Sequence, residues 1–182
     1  MKKIKKLIAA VLSVTVILGA TVPTYAASSD VNIEVKPTTM DNVSVTVPTT
    51  IPVVFNADGS NTLPTNWAIS NLSSIAGIHL SQIDMSAGNS GWKLLADSQD
   101  TKTLSKDTKS MKFSVGKPSA MKLVTPTSGT ENATGSVRFD DSEISIPSGE
   151  TQVLSFGVER GAFTEAQASA KAFEMVLTFN FN

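Results

Sequence analysis

No cysteine occurs in these 182 residues, and there is one histidine and one tyrosine. The first absence removes disulfides, thiol nucleophiles and thiolate metal ligands together. With a single imidazole, a Ser/His/Asp unit has one candidate base, and catalytic zinc lacks its usual set of nitrogen ligands. That imidazole, His79, lies in Ile78-His79-Leu80-Ser81, inside a strand-like run. A histidine on a strand face or edge is the plainer reading of it. Basic clusters are also scarce: 15 Lys+Arg stand against 16 Asp+Glu. Nucleic-acid binding needs a basic stripe, so that partner class is excluded. Convincing long helical patterns are absent as well.

The one long apolar run stands at the start. Lys2, Lys3, Lys5 and Lys6 precede a charge-free stretch from Leu7 to Ala20, and small Thr24 and Ala26 close a short polar end. This is the layout of a secretory signal peptide, 1–26, with cleavage expected after Ala26. The apolar stretch is shorter than the roughly 20 residues that span a bilayer. Residues 27–182 then form a single secreted domain of 156 residues, enough to close a core. Its four signal lysines gone, the mature chain keeps 11 basic and 16 acidic residues, a net charge of about −5. It has no second apolar run for a membrane span and no tyrosine. A cysteine-free domain behind a Lys-rich signal fits a bacterial extracellular or cell-wall location. Asn42, Asn71 and Asn132 match the glycosylation acceptor pattern, which in a bacterial export is chance.

What fills the mature chain is period-2 alternation. Val31, Ile33 and Val35 alternate with Asn32, Glu34 and Lys36; Val43, Val45 and Val47 alternate with Ser44 and Thr46. Ile144 and Ile146 flank Ser145, and Leu154, Phe156 and Val158 share a face. The clearest run places Phe173, Met175, Leu177, Phe179 and Phe181 on one side. Such alternation puts one strand face in a core and the other in water. Further strands are expected at 51–56, 66–72, 75–84, 91–96, 110–115, 120–125 and 134–139. Turn signals separate them, among them Asp58-Gly59, Gly116 to Pro118, Asp140-Asp141 and Pro147-Ser148-Gly149. The pattern predicts an all-β fold, an antiparallel β-sandwich of about ten short strands. Residues 97–110 are expected to be a long exposed loop, and Phe163 to Lys171 a loop with one helical turn.

Candidate sites are few. Asp140, Asp141 and Glu143 are acidic enough to hold calcium weakly, since calcium takes oxygen ligands from acidic loops. A solvated turn is the simpler account of them. Asn56-Ala57-Asp58-Gly59-Ser60-Asn61 partly imitates a calcium loop, but a hairpin turn on Asp58-Gly59 explains it. Paired carboxylates among Asp97, Asp100, Asp140, Asp141 and Glu143 would suit a small hydrolase. Trp92, beside the 97–110 loop, is the candidate for stacking a glycan, although its alternation with Leu94 points inward. Val31, Ile33 and Val35 are the candidate self-association strand, because a strand near a free chain end can pair with a neighbour's edge; an internal first strand of a monomer is the plainer reading, with Glu34 and Lys36 as charges that guard an edge. No cofactor is indicated.

The run Val43-Ser44-Val45-Thr46-Val47-Pro48-Thr49-Thr50-Ile51-Pro52-Val53-Val54-Phe55-Asn56-Ala57-Asp58-Gly59 resembles the opening of small secreted surface proteins of Gram-positive bacteria. Ala68 to Ser74, Gly91-Trp92-Lys93-Leu94 and Val176 to Phe181 fit the same pattern. A more distant similarity is to WxL cell-wall-binding domains: Trp92-Lys93-Leu94 stands near the first motif, while Phe179-Asn180-Phe181 replaces the second. The resemblance implies a β-sandwich at the cell surface. The expected function is therefore a secreted, non-enzymatic surface protein with a structural or adhesive role, through self-association, with strand pairing as one route, or through contact with wall or host glycans. Its partners would be cell-wall polymer, a glycan or itself. A cell-wall or carbohydrate-binding module is the first alternative, and a carboxylate-based hydrolase the second. Intact-mass analysis of the exported protein should show a chain beginning at Ala27; a mature species that retains Lys2 to Lys6 would overturn the export reading.

Overall fold

The computed structural model describes residues 29–37, 44–56, 59–164 and 170–182. The expected signal segment, the Thr38–Thr39 pair, Asp58 and most of the Phe163–Lys171 segment lie outside those residues.

The described chain is nearly all β. Its strands are β1 (Ser29–Pro37), β2 (Val45–Thr46), β3 (Thr50–Phe55), β4 (Asn61–Thr62), β5 (Ala68–Asn71), β6 (Ile78–Ser86), β7 (Lys93–Leu95) and β8 (Ser110–Lys117). They continue with β9 (Ala120–Leu123), β10 (Thr125–Pro126), β11 (Glu131–Asn132), β12 (Thr134–Arg138), β13 (Ser145–Ile146), β14 (Thr151–Val153), β15 (Ser155–Arg160) and β16 (Ala170–Phe181). The count exceeds ten because single apolar runs divide where the chain changes sheet. The 120–125 run breaks at Val124, whose N–H donates to Phe113 O at 2.8 Å. The run through Leu154 breaks there too, and its N–H donates to Trp67 O. Within the 97–110 loop, Thr101–Thr103 forms one 3-10 turn, capped by the Asp100 carboxylate accepting from Lys102 N.

Three sheets share one core. The eight-stranded sheet runs β10-β12-β6-β16-β1-β3-β4, with β13 also on β6. A five-stranded sheet runs β11-β7-β8-β15, with β9 on β8, and a three-stranded sheet runs β14-β5-β2. Most pairings are antiparallel, but β1 with β16 and β7 with β8 are parallel. The chain crosses between the two larger sheets three times in succession, from β9 to β10, from β10 to β11 and from β11 to β12. At that crossing Gly135 is tightly held: an added Cβ would meet Thr125 O at 2.7 Å and Leu94 Cδ1 at 2.6 Å. No side chain fits there without moving backbone.

One continuous apolar cluster draws on all three sheets: Ile33, Ile51 and Leu177 from the largest, Ile69 from the smallest, Leu94 and Phe113 from the third. Aromatic rings meet inside it. Trp67 stands edge-on to Phe156 at 5.3 Å between centroids, and Phe156 stacks on Phe113 at 5.8 Å. β16 shows the expected alternation through Phe173, Met175, Leu177 and Phe179, all buried. Phe181, expected on the same buried face, is 49 % exposed. It is the last residue of the strand, next to Asn182.

β16 gives a direct measure of the core. Phe179→Ala should cost about 3–5 kcal/mol, since it empties a large buried volume. Thr178→Ala, on the opposite face, should cost far less. Denaturant melts giving equal losses would mean that the faces are misassigned.

Candidate functional site

Sequence alternation marked Val31, Ile33 and Val35 as one face, and β1 carries them into the interior, between 0 % and 3 % exposed. β1 is an inner strand of the largest sheet. On one side it runs antiparallel to β3, pairing Val31 with Val53 and Ile33 with Ile51. On the other it runs parallel to β16, pairing Ile33 with Phe173, Val35 with Met175 and Pro37 with Leu177. The site is therefore a slot between β3 and β16, filled by the first described strand.

The outer face of that slot carries charge. Glu34 and Lys36 of β1 meet Lys171 and Glu174 of β16 in a closed set of ion pairs. Lys36 Nζ lies 2.6 Å from Glu174 Oε1, Lys171 Nζ donates to Glu34 Oε2, and Lys171 Nζ lies 3.0 Å from Glu174 Oε2. The Glu174 carboxyl is held below its ordinary range, first by the hydrogen bond from Lys36 and then by that from Lys171. The Lys171 ammonium is raised, chiefly by its hydrogen bond to Glu34. Lys171 and Glu174 also line an open cavity of about 370 Å³ against the 86–90 turn. That turn is fixed to β16 by Ser90 Oγ, which donates to Ala172 O at 2.6 Å.

The other candidate residues do not gather into a site. The acids of the 140–143 turn, expected to hold calcium, point to separate partners. Glu143 Oε2 accepts from Lys122 Nζ at 2.5 Å and from Asp140 N at 2.6 Å. The Lys122 bond keeps the Glu143 carboxyl below its usual range. Asp141 leans instead on His79, its Oδ1 3.0 Å from Nε2 but outside hydrogen-bond geometry. Among the described residues no three such groups converge as metal ligands. Asp97 bridges to Lys112 at 3.5 Å, and Asp100 caps the 3-10 turn. His79 is buried on β6, with Nδ1 against Asn182 Oδ1 at 3.0 Å.

Trp92, the candidate glycan contact, is 3 % exposed. Its ring packs on Phe55 and Phe163 at 5.6 and 5.9 Å, so the indole face is covered. The Arg160 guanidinium closes this cluster from above, 4.4 Å from the Phe55 centroid. Its Nε donates to Asn61 Oδ1, whose amide donates across to Val158 O, and these bonds tie β4 to β15.

Two structural features had no clear sequence signal. One is the charge set, whose members lie 137 positions apart in the chain at Glu34 and Lys171. The other is Asn71, fully buried, whose amide donates to Ala76 O, Ile146 O and Pro147 O while Oδ1 accepts from Ser73 N. That burial also removes it as a glycosylation acceptor. No helix among the described residues is long and apolar enough to cross a membrane. No protein-family model matches this chain, no curated protein matches it, and no solved structure matches it.

The charge set fixes a pH dependence. Because the Glu174 pKa is lowered by folding, its contribution is full above the unfolded value and fades as pH falls through the folded one. The raised Lys171 contributes fully below its unfolded value and fades as pH rises through the folded one. Both side chains are partly solvated, so each pair is worth about 1 kcal/mol or less. Melts from pH 6 down to pH 3 should therefore show a steeper stability loss in the wild type than in Glu174→Gln. Parallel curves would mean that the set contributes nothing.

Proposed function

We propose that this is a secreted, non-enzymatic bacterial surface protein with a structural or adhesive role, exerted through self-association by strand pairing. The observation that carries the reading is the position of β1. The first described strand is an inner strand of the largest sheet, between β16 and β3, and supplies three of its buried apolar residues. Strand addition draws affinity from main-chain hydrogen bonds and specificity from alternate side chains in pockets. A domain built around one terminal strand already uses that chemistry on itself.

The disposition of the acids is consistent with this role. Glu34, Glu174, Glu143, Glu131 and Asp97 each pair with a lysine: the first two and Glu131 act between strands, while Glu143 and Asp97 tie a turn and a loop to β9 and β8. Both tryptophans pack inward, which weakens the carbohydrate-stacking alternative. The signal layout and the likeness to Gram-positive surface proteins supply the location: outside the cell, on or near the wall.

Sizing and electron microscopy of the purified chain 27–182 test the reading. Concentration-dependent oligomers or fibres are expected at neutral pH. A protein that stays monomeric at high concentration, and that is retained on isolated cell walls or glycans, would put the wall-binding module in its place.

A further inference from the structure

We infer that the self-association partner is a second copy of this chain, which lends its own β1 to the slot between β3 and β16, and that the Glu34/Lys36/Lys171/Glu174 set selects that strand. The inference rests on the proposed self-association and adds the donor, the acceptor and the selecting contacts.

The slot is specific in shape. Its floor is apolar, with Ile51 and Val53 on one wall and Phe173, Met175 and Leu177 on the other, all fully buried. Left empty, it would expose those side chains and two rows of unpaired backbone groups. β1 fills it in its own chain, so an identical β1 from another copy fills it with the same contacts. Exchange of an identical element between copies is for that reason a low-cost route to assembly.

The strand is also tethered in a way that permits exchange. With cleavage after Ala26, β1 begins within a few residues of a free end. Its other end leads to β2, which belongs to a different sheet. Neither wall of the slot is its neighbour in sequence: β3 follows after the small-sheet strand β2, and β16 is the last strand of the chain. Closing such distant pairings is slow, and a parallel one especially so. The slot therefore stays open long enough for another copy's strand to compete.

The charges make that competition selective. On β16 the order is Lys171 then Glu174, and on the parallel β1 it is Glu34 then Lys36. An incoming strand of uniform charge, or one with the two signs exchanged, would place like charges together on the partly buried outer face. A neutral alternating strand would fill the floor and leave the four-charge set incomplete.

The absence of cysteine gives a clean test on the whole protein. Asn32 pairs with Pro52 across β1 and β3. Chains 27–182 carrying either Asn32→Cys or Pro52→Cys are mixed, refolded together and oxidised. In a chain that keeps its own β1, the new thiol faces no second thiol. Exchange predicts an intermolecular disulfide between positions 32 and 52, well above that formed when Asn32→Cys is mixed with Thr178→Cys, whose β16 position lies away from Asn32. Adding Lys171→Glu and Glu174→Lys to the Pro52→Cys chain sets its own β1 and the incoming one at the same disadvantage, so the 32–52 yield should stay near its starting value. Adding Glu34→Lys and Lys36→Glu to the Asn32→Cys donor as well matches the incoming strand alone and should raise the yield about fivefold, on the scale of two regained surface ion pairs. Oligomers that form with no excess of the 32–52 product would overturn the exchange while leaving the proposed function in place. A yield that the donor reversal does not raise would overturn the selection. A mixture that remains monomeric would overturn the proposed function itself.

Discussion

The parallel pairing of β1 with β16 is the contact on which the rest of the molecule depends. It joins the first and last described strands and converts two half-sheets, β3-β4 and β10-β12-β6-β16, into one. Without β1, Ile51 and Val53 lose their neighbours on one side and Phe173 and Met175 on the other. The core would then open along its middle, not fray at an edge. An edge strand can be lost for the cost of its own contacts, whereas an inner strand takes both walls with it.

With no cysteine, packing and hydrogen bonds hold the remaining elements. The heaviest packing lies in two aromatic groups, Trp67-Phe156-Phe113 and Phe55-Trp92-Phe163. Loops are fixed by single polar residues. Asn71 satisfies carbonyls from two separate turns at once, so its replacement by an apolar residue would leave several buried acceptors unpaired, each a cost of about 1–3 kcal/mol. Arg160 does comparable work on the opposite flank by covering Phe55 and gripping the carbonyls of Gly161 and Asn56.

Much of this was legible in the chain, for a definite reason. Alternation reports which side chains share a face, and Val31/Ile33/Val35, Ile51/Val53/Phe55 and Phe173 to Phe179 all obey it. Alternation is silent about which strands are neighbours, because register and order are set by contacts between distant segments. Hence an antiparallel sandwich was expected and its two parallel pairings were not visible. Phe181 fits the pattern yet stands in solvent, since periodicity does not say where along a strand burial stops. The acids at 140, 141 and 143 are adjacent in sequence, but their carboxylates separate toward Lys122 and His79, which come from β9 and β6. Asn71 sits in an ordinary Asn-Leu-Ser triplet, and only burial shows its four bonds.

The order in which the chain would leave the cell bears on how the slot is filled. On the proposed export behind an N-terminal signal, β1 would be delivered first and β16 last. For the whole passage β1 can find β3 but not its second wall, and its apolar face stays half covered. Non-local pairings form late even in free folding. A crowded cell surface would then hold many copies, each with a waiting strand and, once β16 arrives, a newly completed slot. Whether a slot captures its own strand or a neighbour's becomes a contest between tether and local concentration. Both captures bury the same residues in the same register, so the fold itself does not bias the outcome. On the proposed exchange, the charge set on the outer face acts on a different choice: it would disfavour strands of other proteins that lack the complementary charges.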